Sequence, residues 1–195
     1  MTPGIIYGAI PADALALDEA ELAARLKVRR EDIASLSPRF EASLRKVITP
    51  RYVGLRTPLS FPEKGKVDLG FTALESHSLA ACLAGCKEAL VFAVTLGHGV
   101  DRLLRRAALS SVAEEYTEDA YASALAEAAV EYAEATLAEG RQTTARFSPG
   151  YGDLALTAQS PILEALDAKR HLSLTLTASL LMIPSKSVTA ICGLR

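Results

Sequence analysis

Apolar residues follow two different periods along the chain, and these periods predict where strands and helices lie. Residues 89–95 (ALVFAVT) are continuously apolar and include valines and a phenylalanine, as expected of a buried strand. Residues 171–177 (HLSLTLT) alternate strictly between polar and apolar, which is typical of a half-buried strand. Residues 187–192 are the expected pairing partner of that strand, joined to it by a turn that contains Pro184. Two shorter strands are predicted over residues 4–10 and 66–71.

Helices are predicted where apolar positions recur every three or four residues behind a capping residue. Asp18 is placed to cap one helix, with Glu21 as its capping-box partner. Ser37-Pro38 and Ser160-Pro161 each combine a capping serine with a proline suited to the first helical position. The longest helix is predicted over residues 112–139, which are rich in Ala, Glu and Leu. Two more helices are predicted over residues 76–84 and from residue 100 onwards.

The order of these elements predicts the fold class. Residues 49–66 hold three prolines and two glycines, and the composition predicts an irregular connection there. Helices and strands are interspersed without a regular βαβ rhythm, and the alternating strand near the C-terminus favours antiparallel pairing. We therefore predict a single α+β domain over residues 1–195, with a mainly antiparallel sheet packed against helices.

Composition and charge narrow the class of partner. The chain has 195 residues, of which 50% are hydrophobic and 23% charged, with a formal net charge of −2. This charge is too near neutral to favour nucleic acid or an anionic membrane surface as the main partner. No apolar run reaches the ~18 residues that a membrane span requires, and the N-terminus lacks a basic start followed by an apolar stretch. A cytoplasmic protein is the expectation.

The cysteines and histidines offer one possible metal or redox site. Cys82 and Cys86 are four residues apart in a predicted helix, and His77 and His98 lie near them in sequence. Tetrahedral metal sites usually show tighter paired spacings, and free cysteines are usually buried as small apolar side chains. We therefore predict packing roles for the cysteines and no metal site.

A glycine-rich connection follows the predicted strand over residues 89–95. Gly97-His98-Gly99 could hold an anion at the N-terminus of the next helix. Glycines at these positions are equally what a tight strand-to-helix connection needs. Asp101 suits the positive end of that helix and would compete with a bound anion, so the tight connection is the favoured interpretation.

The segment RFSPGY, residues 146–151, carries the most informative side chains. Pro149-Gly150 fits the two central positions of a type II turn, in which glycine supplies the positive φ angle. Such a turn would bring Arg146 and Tyr151 close together. A guanidinium suits a carboxylate, and a phenol offers both a ring face and a hydroxyl group. The pattern indicates either a small-ligand site or an ordinary surface turn.

RFSPGY also resembles the Arg-x-x-x-Gly-Tyr S-adenosylmethionine motif in the activation domain of cobalamin-dependent methionine synthase. A second block, LTASLLMIPSKSV at residues 176–188, is similar to that family's Leu-Thr-Glu-Ser-x-x-Met-x-Pro-x-x-Ser-Val. Shorter blocks at residues 92–95 and 125–128 agree in the same order, so the resemblance covers residues 86–193. Residues 1–85 match only weakly.

The sequence departs from the family pattern at two places and in its extent. Tyr151 is followed by Gly152-Asp153 rather than by Pro-Ala-Cys-Pro, and Ala178 stands where the multidomain enzymes have glutamate. The corrinoid-binding and methyl-transfer modules have no counterpart in this sequence. The resemblance therefore implies a freestanding relative of the activation domain.

The resemblance assigns roles to particular residues. Arg146 would pair with the carboxylate of the methionine moiety, and Gly150 would allow close approach of the backbone. Tyr151, the residue assigned to the reacting end, would stand near the sulfonium methyl group and the cobalt. The backbone around Phe147 and Ser148 would meet the adenine or the ribose. Ser187 and the turn around Pro184 would shape the site.

Glu127 is a further residue to which the resemblance assigns a role. It lies in the helix block that faces this site in the family, and it would hydrogen-bond to the ligand through water. The alternative for Glu127 is a solvated helix glutamate, as found on many exposed helix faces.

The implied function is binding of S-adenosylmethionine to support the reductive methylation of cob(II)alamin on a separate cobalamin-dependent methionine synthase. The cobalamin would be carried by that core or by another corrinoid protein, and flavodoxin or ferredoxin would supply electrons. The chain would be a component of a methyltransferase activity rather than a complete enzyme. Two alternatives are a non-catalytic docking or assembly factor for a corrinoid protein, and a metal or redox protein that uses Cys82, Cys86 and the histidines.

Overall fold

The structure is a computed structural model that describes residues 4–195, except for the side chains of residues 36 and 37. The described part contains seven α-helices and eight strands. The helices are α1 (Glu19–Leu26), α2 (Arg30–Arg45), α3 (His77–Cys82), α4 (His98–Ser110), α5 (Val112–Ala138), α6 (Gln159–Ala165) and α7 (Ala168–Leu172). The strands are β1 (Ile5–Ala9), β2 (Arg51–Pro58), β3 (Lys66–Asp68), β4 (Ala73–Glu75), β5 (Glu88–Thr95), β6 (Thr175–Leu176), β7 (Met182–Ile183) and β8 (Ser187–Leu194).

A four-stranded sheet in the order β1-β2-β5-β8 forms the centre of the fold. Each neighbouring pair is antiparallel, with Gly54 opposite Phe92 and Val91 opposite Ile191 in the middle of the sheet. Two small ribbons, β3-β4 and β6-β7, lie outside it. The predicted α+β class with a mainly antiparallel sheet is confirmed.

Both faces of the central sheet are buried by other elements. Successive side chains of a strand point to opposite faces. On β5, Leu90, Phe92 and Val94 belong to a core shared with α1, α2, α4 and α5. The intervening β5 residues belong to a second core, which includes Leu79 of α3 and Ile162 of α6. Burial on both faces explains why residues 89–95 are continuously apolar. Among residues 4–195, no helix is long and apolar enough to cross a membrane.

The prediction of an irregular connection over residues 49–66 is wrong, because β2 occupies much of that segment. Pro50 precedes the strand and Pro58 ends it, and prolines at strand ends do not interrupt the hydrogen-bonded ladder. Gly54 lies inside the strand, where an added Cβ would stand 2.5 Å from Leu137 Cδ1. The glycine therefore lets α5 pack directly on the sheet.

The predicted pairing of residues 171–177 with residues 187–192 is also wrong. The chain is helical through Leu172 at the end of α7, and only the two residues of β6 pair, with β7. The partner of β8 is β5, as shown by Val188 opposite Val94. The polar-apolar alternation has a different cause, since Leu172 and Leu174 reach the core from a helix end and the turn that follows it.

The predicted helix starts are confirmed at one of three sites. Asp18 caps α1, and its carboxylate accepts hydrogen bonds from the backbone N–H groups of Ala20 and Glu21. The side chain of Glu21 pairs with Arg25 rather than completing a capping box. The serine-proline pairs lie within helices: α2 contains Pro38, with the side chain of Ser37 outside the described residues, and α6 begins before Ser160. Side chains of α2 before and after Pro38 are buried in the core. Their packing offsets the loss of the hydrogen bond that the proline nitrogen cannot donate.

Candidate functional site

The segment 146–151 forms the predicted turn and is tied to the edge of the central sheet. Phe147 and Ile191 of β8 exchange two backbone hydrogen bonds of 2.8 Å. The N–H of Tyr151 donates to the carbonyl oxygen of Ser148 at 3.1 Å, and Gly150 has a φ of +90°. These are the features of a type II turn with Pro149 and Gly150 at its centre. We call residues 146–151 the ligand turn.

A cavity of about 570 Å³ opens beside the ligand turn. It is bounded by the turn, by Glu127 of α5, by Gln159 of α6 and by the start of β8, and we call it the turn cavity. Five of the six residues predicted for the site line it, namely Glu127, Arg146, Phe147, Ser148 and Tyr151. Gly150 does not line the cavity; it turns the chain between Pro149 and Tyr151, which do, and an added Cβ would lie 3.4 Å from Leu156 Cδ1.

Arg146 is held by two glutamates of α5. Its Nη1 donates to Glu134 Oε2 at 3.0 Å, and its Nη2 lies 3.6 Å from Glu127 Oε2. The other oxygen of Glu134 accepts a hydrogen bond from Thr143 Oγ1 at 2.5 Å. Sequence reasoning missed Glu134. The signal that could have found it is its spacing of seven residues from Glu127, which places both side chains on one face of a helix.

The remaining walls of the turn cavity combine buried polar groups with an exposed apolar rim. Ser148 Oγ donates to the carbonyl oxygen of Thr189 at 2.7 Å, and Thr189 Oγ1 donates to the buried Gln159 Oε1 at 3.0 Å. At the mouth, 71% of Tyr151 and 61% of Leu181 are exposed. The cavity is therefore closed on the sheet side and open beside the tyrosine.

The two residues that depart from the family pattern after Tyr151 tie the ligand turn to α3. The carboxylate of Asp153 accepts hydrogen bonds from the hydroxyl group of Ser76 and from the backbone N–H groups of His77 and Ser78. Gly152 has a φ of +55°, and an added Cβ would lie 3.2 Å from Phe147 Cζ. The hydrogen bond from Ser76, followed by those from the backbone, holds the pKa of Asp153 well below its usual range.

We expect Asp153→Asn to lower the melting temperature at neutral pH, because the amide replaces a charged acceptor at three donors. A carboxyl whose folded pKa is depressed stabilises the protein above its unfolded pKa, and this contribution is lost as the pH falls towards the folded pKa. The gap between wild type and variant should therefore narrow below pH 3.8, the ordinary pKa of the group. Thermal melts from pH 7 downwards test this. Asp167→Asn is the control, because it changes the same group at a carboxylate whose contact with Arg170 is 3.9 Å long. A difference in melting temperature between wild type and Asp153→Asn that does not change with pH would contradict the assignment.

The Gly97-His98-Gly99 connection is explained by close packing. Gly97 has a φ of +85°, and an added Cβ would stand 2.2 Å from Thr49 Oγ1. At Gly99, an added Cβ would stand 2.0 Å from the carbonyl oxygen of Val47. Asp101 accepts hydrogen bonds from the backbone N–H and the hydroxyl group of Ser185. These contacts support the tight connection rather than an anion cradle.

The cysteines take part in packing and hydrogen bonding. Cys86 and Cys192 are buried, and the half-buried Cys82 donates through Sγ to the carbonyl oxygen of Ala145 at 3.1 Å. Burial, with a smaller contribution from Glu134, raises the pKa of Cys192 to about 12. The ring of His98, which the sequence placed near the cysteines, lies against the carbonyl oxygen of Ser173. Over residues 4–195, no three or more His, Cys, Asp and Glu side chains form a group that could hold a metal ion.

Of the comparisons with known proteins, the comparison of structures gives a match. A scan of protein-family models found no match, and a search of curated proteins found none. The structure is similar to a crystal structure of the MetH reactivation domain bound to AdoHcy, with a TM-score of 0.74 and 17% sequence identity. The similarity covers 97% of this chain and 78% of that chain. The chain therefore has the fold of the MetH reactivation domain, as its sequence motifs predicted.

Proposed function

We propose that this protein binds S-adenosylmethionine in the turn cavity and supports the reductive methylation of cob(II)alamin carried by a separate corrinoid protein. The observation that carries the proposal is that five predicted residues, four of them within residues 146–151 and Glu127 in a separate block, line one open cavity. The cavity lies in a chain with the fold of the MetH reactivation domain, and the matching MetH structure holds AdoHcy. The protein would act as a component of a methyltransferase system.

The turn cavity fits a ligand of this kind in size and in polarity. Its volume of about 570 Å³ lies within the range of small-molecule sites. Arg146 is a suitable partner for the carboxylate of the methionine moiety, because a guanidinium offers two parallel donors. Phe147 would contribute its ring, since its backbone N–H and C=O groups are both bonded to Ile191. The hydroxyl oxygens of Ser148 and Thr189, whose protons are donated within the protein, would still accept hydrogen bonds from the ribose or the adenine.

Bound S-adenosylmethionine would supply the methyl group, and a low-potential donor such as flavodoxin or ferredoxin would supply the electron. The chain itself would need no acid or base, because its contribution is to position the sulfonium methyl group. Arg146 would fix one end of the ligand, and Tyr151 would border the other at the cavity mouth. The exposure of Tyr151 and Leu181 leaves the flank by which a corrin could approach.

A reactivation assay in trans tests the proposal. The protein would be mixed with a cob(II)alamin-loaded methionine synthase core that lacks its own activation domain, a low-potential reductant and S-adenosylmethionine. We expect methylcobalamin to form, followed by its visible absorption, at a rate that depends on the added protein. Equal rates with and without the protein, over several candidate cores, would contradict the reactivating role. Binding to a core without methylation would favour the docking or assembly alternative.

Tyr151→Ala is expected to slow methylation by about tenfold while changing the affinity for S-adenosylmethionine by less, because the tyrosine is assigned to the reacting end. The comparison requires the rate from the assay in trans and the affinity from calorimetry. Tyr7→Ala is a matched control, since Tyr7 is also largely exposed but contacts His171 outside the turn cavity. An equal loss in rate and affinity would assign Tyr151 to binding alone.

A further inference from the structure

A second cavity lies where the end of α2, the middle of α4 and the start of α5 meet. Its volume is about 340 Å³, which is within the range of small-molecule sites. Among residues 4–195 it shares no lining residue with the turn cavity, and we call it the helix cavity. Its charged lining residues are Lys46, Arg106, Glu114 and Glu118. The proposed function uses none of these four side chains.

Glu118 is buried in the wall of the helix cavity without a hydrogen-bond donor. The residue is 5% exposed, and its Oε2 has no hydrogen-bond partner within the described part of the chain. Burial is the main cause that raises the pKa of Glu118, followed by the charge of Glu114, while Arg39 and Arg106 lower it by less. A buried carboxylate without a partner costs free energy. Glu118 therefore lacks a donor that a ligand in the cavity would supply.

The other charges of the helix cavity leave two cations unpaired. Glu114 is engaged by the guanidinium of Arg39 of α2. The side chains of Lys46 and Arg106 make no ion pair within 4.0 Å over residues 4–195. Arg106 is near enough to lower the pKa of Glu118, yet its nitrogens lie beyond 4.0 Å from that carboxylate. An unpaired anion and unpaired cations thus line the same cavity with a gap between them.

We propose that the helix cavity binds a small zwitterion, namely a free α-amino acid with an apolar side chain. Its ammonium group would donate to Glu118, and its carboxylate would accept from Arg106 and Lys46. Its side chain would pack against Val47 and Leu103, which also line the cavity. One molecule of this class satisfies both signs of charge, whereas a simple amine leaves the cations unpaired and a simple carboxylate leaves Glu118 without a donor. The site is independent of the proposed function.

Three probes with the same branched carbon chain test the charge requirement. L-Leucine carries both charged groups, isoamylamine lacks the carboxylate, and isocaproate lacks the ammonium group. Nuclear magnetic resonance of the backbone amides during titration at low salt gives both the affinity and the location of each probe. We expect saturable binding of L-leucine at millimolar concentration, with shifts at residues 43–47 and 103–118. Each truncated probe should bind about tenfold more weakly, because it loses one hydrogen-bonded charge pair.

Two substitutions assign the partners of the zwitterion. Glu118→Gln should weaken L-leucine about tenfold without weakening isocaproate, because isocaproate has no ammonium group to donate. Arg106→Gln should weaken L-leucine without weakening isoamylamine, which has no carboxylate to accept. Both variants are expected to fold, since Glu118→Gln removes a buried charge that lacks a partner and Arg106 is exposed.

Glu115→Gln and Arg105→Gln are the matched controls, because these residues lie on the same helices, α5 and α4, and do not line the helix cavity. Both should bind L-leucine as wild type does. The absence of saturable shifts at millimolar L-leucine would overturn the proposal, as would shifts confined to the turn cavity. Equal L-leucine affinity for wild type and Glu118→Gln would overturn it too. The proposed function stands or falls separately, on the binding of S-adenosylmethionine.

Discussion

Arg146→Ala is expected to weaken S-adenosylmethionine binding by about 1.5–3 kcal/mol, or about 10- to 150-fold, because it removes a hydrogen-bonded partner of the ligand carboxylate. The guanidinium is held in place before any ligand arrives, by Glu134 at 3.0 Å and by Glu127 at 3.6 Å. An arginine oriented in advance loses little freedom on binding, so most of its interaction appears as affinity. Calorimetry on wild type and variant measures the effect.

Two variants separate this role from a general loss of charge or fold. Arg146→Lys keeps the charge but not the paired donors, and it should recover only part of the affinity. Arg141→Ala removes a neighbouring arginine that pairs with Glu88 at 2.7 Å and does not line the turn cavity. Its affinity should equal that of wild type. Equal affinity for wild type and Arg146→Ala would remove Arg146 from the site.

Gly99→Ala is expected to destabilise the protein by about 3 kcal/mol, the upper range for overpacking a rigid site. The added Cβ would stand 2.0 Å from the carbonyl oxygen of Val47, and a backbone atom cannot move aside as the end of a flexible side chain does. Because α4 begins at His98, the clash lies in its first turn and would displace the helix from the segment that precedes β2.

Gly4→Ala is the matched control, because no atom lies within 4 Å of the Cβ that it would add. Denaturant unfolding should give wild-type stability for Gly4→Ala and a large loss for Gly99→Ala. If Gly99→Ala is as stable as wild type, close packing does not explain the glycine. That result would favour the anion-cradle interpretation of Gly97-His98-Gly99.

Local signals made much of the fold predictable from the sequence. The continuous apolar run of β5, the capping residue of α1 and the turn residues Pro149-Gly150 each act within a few positions, and all three were correctly interpreted. β2 was missed because its prolines were counted as breakers, although their positions at the strand ends leave the ladder intact. The partner of β8 was missed because strand pairing between distant segments leaves no local pattern.

In the candidate site, too, the residues in short motifs could be predicted and the contacts between distant segments could not. Arg146 and Tyr151 lie in one short motif, and Glu127 lies in a second block, so sequence resemblance could bring them together. Glu134 belongs to no motif, and the sequence of an Ala-rich helix with several glutamates predicts only a solvated side chain for it. Its importance comes from the distance of 3.0 Å to Arg146, which depends on how the loop after α5 returns along that helix. Asp153 was visible only as a departure from the family pattern.

The central claim, that the turn cavity binds S-adenosylmethionine, is tested most directly by nuclear magnetic resonance of the backbone amides during a titration with that ligand. We predict saturable shifts at one-to-one stoichiometry, concentrated on residues 146–152 and 187–190, which line the cavity or form its turn. Arg146→Ala should require a higher ligand concentration to show the same shifts. A spectrum that does not change at millimolar ligand, or shifts confined to residues outside the turn cavity, would contradict the claim.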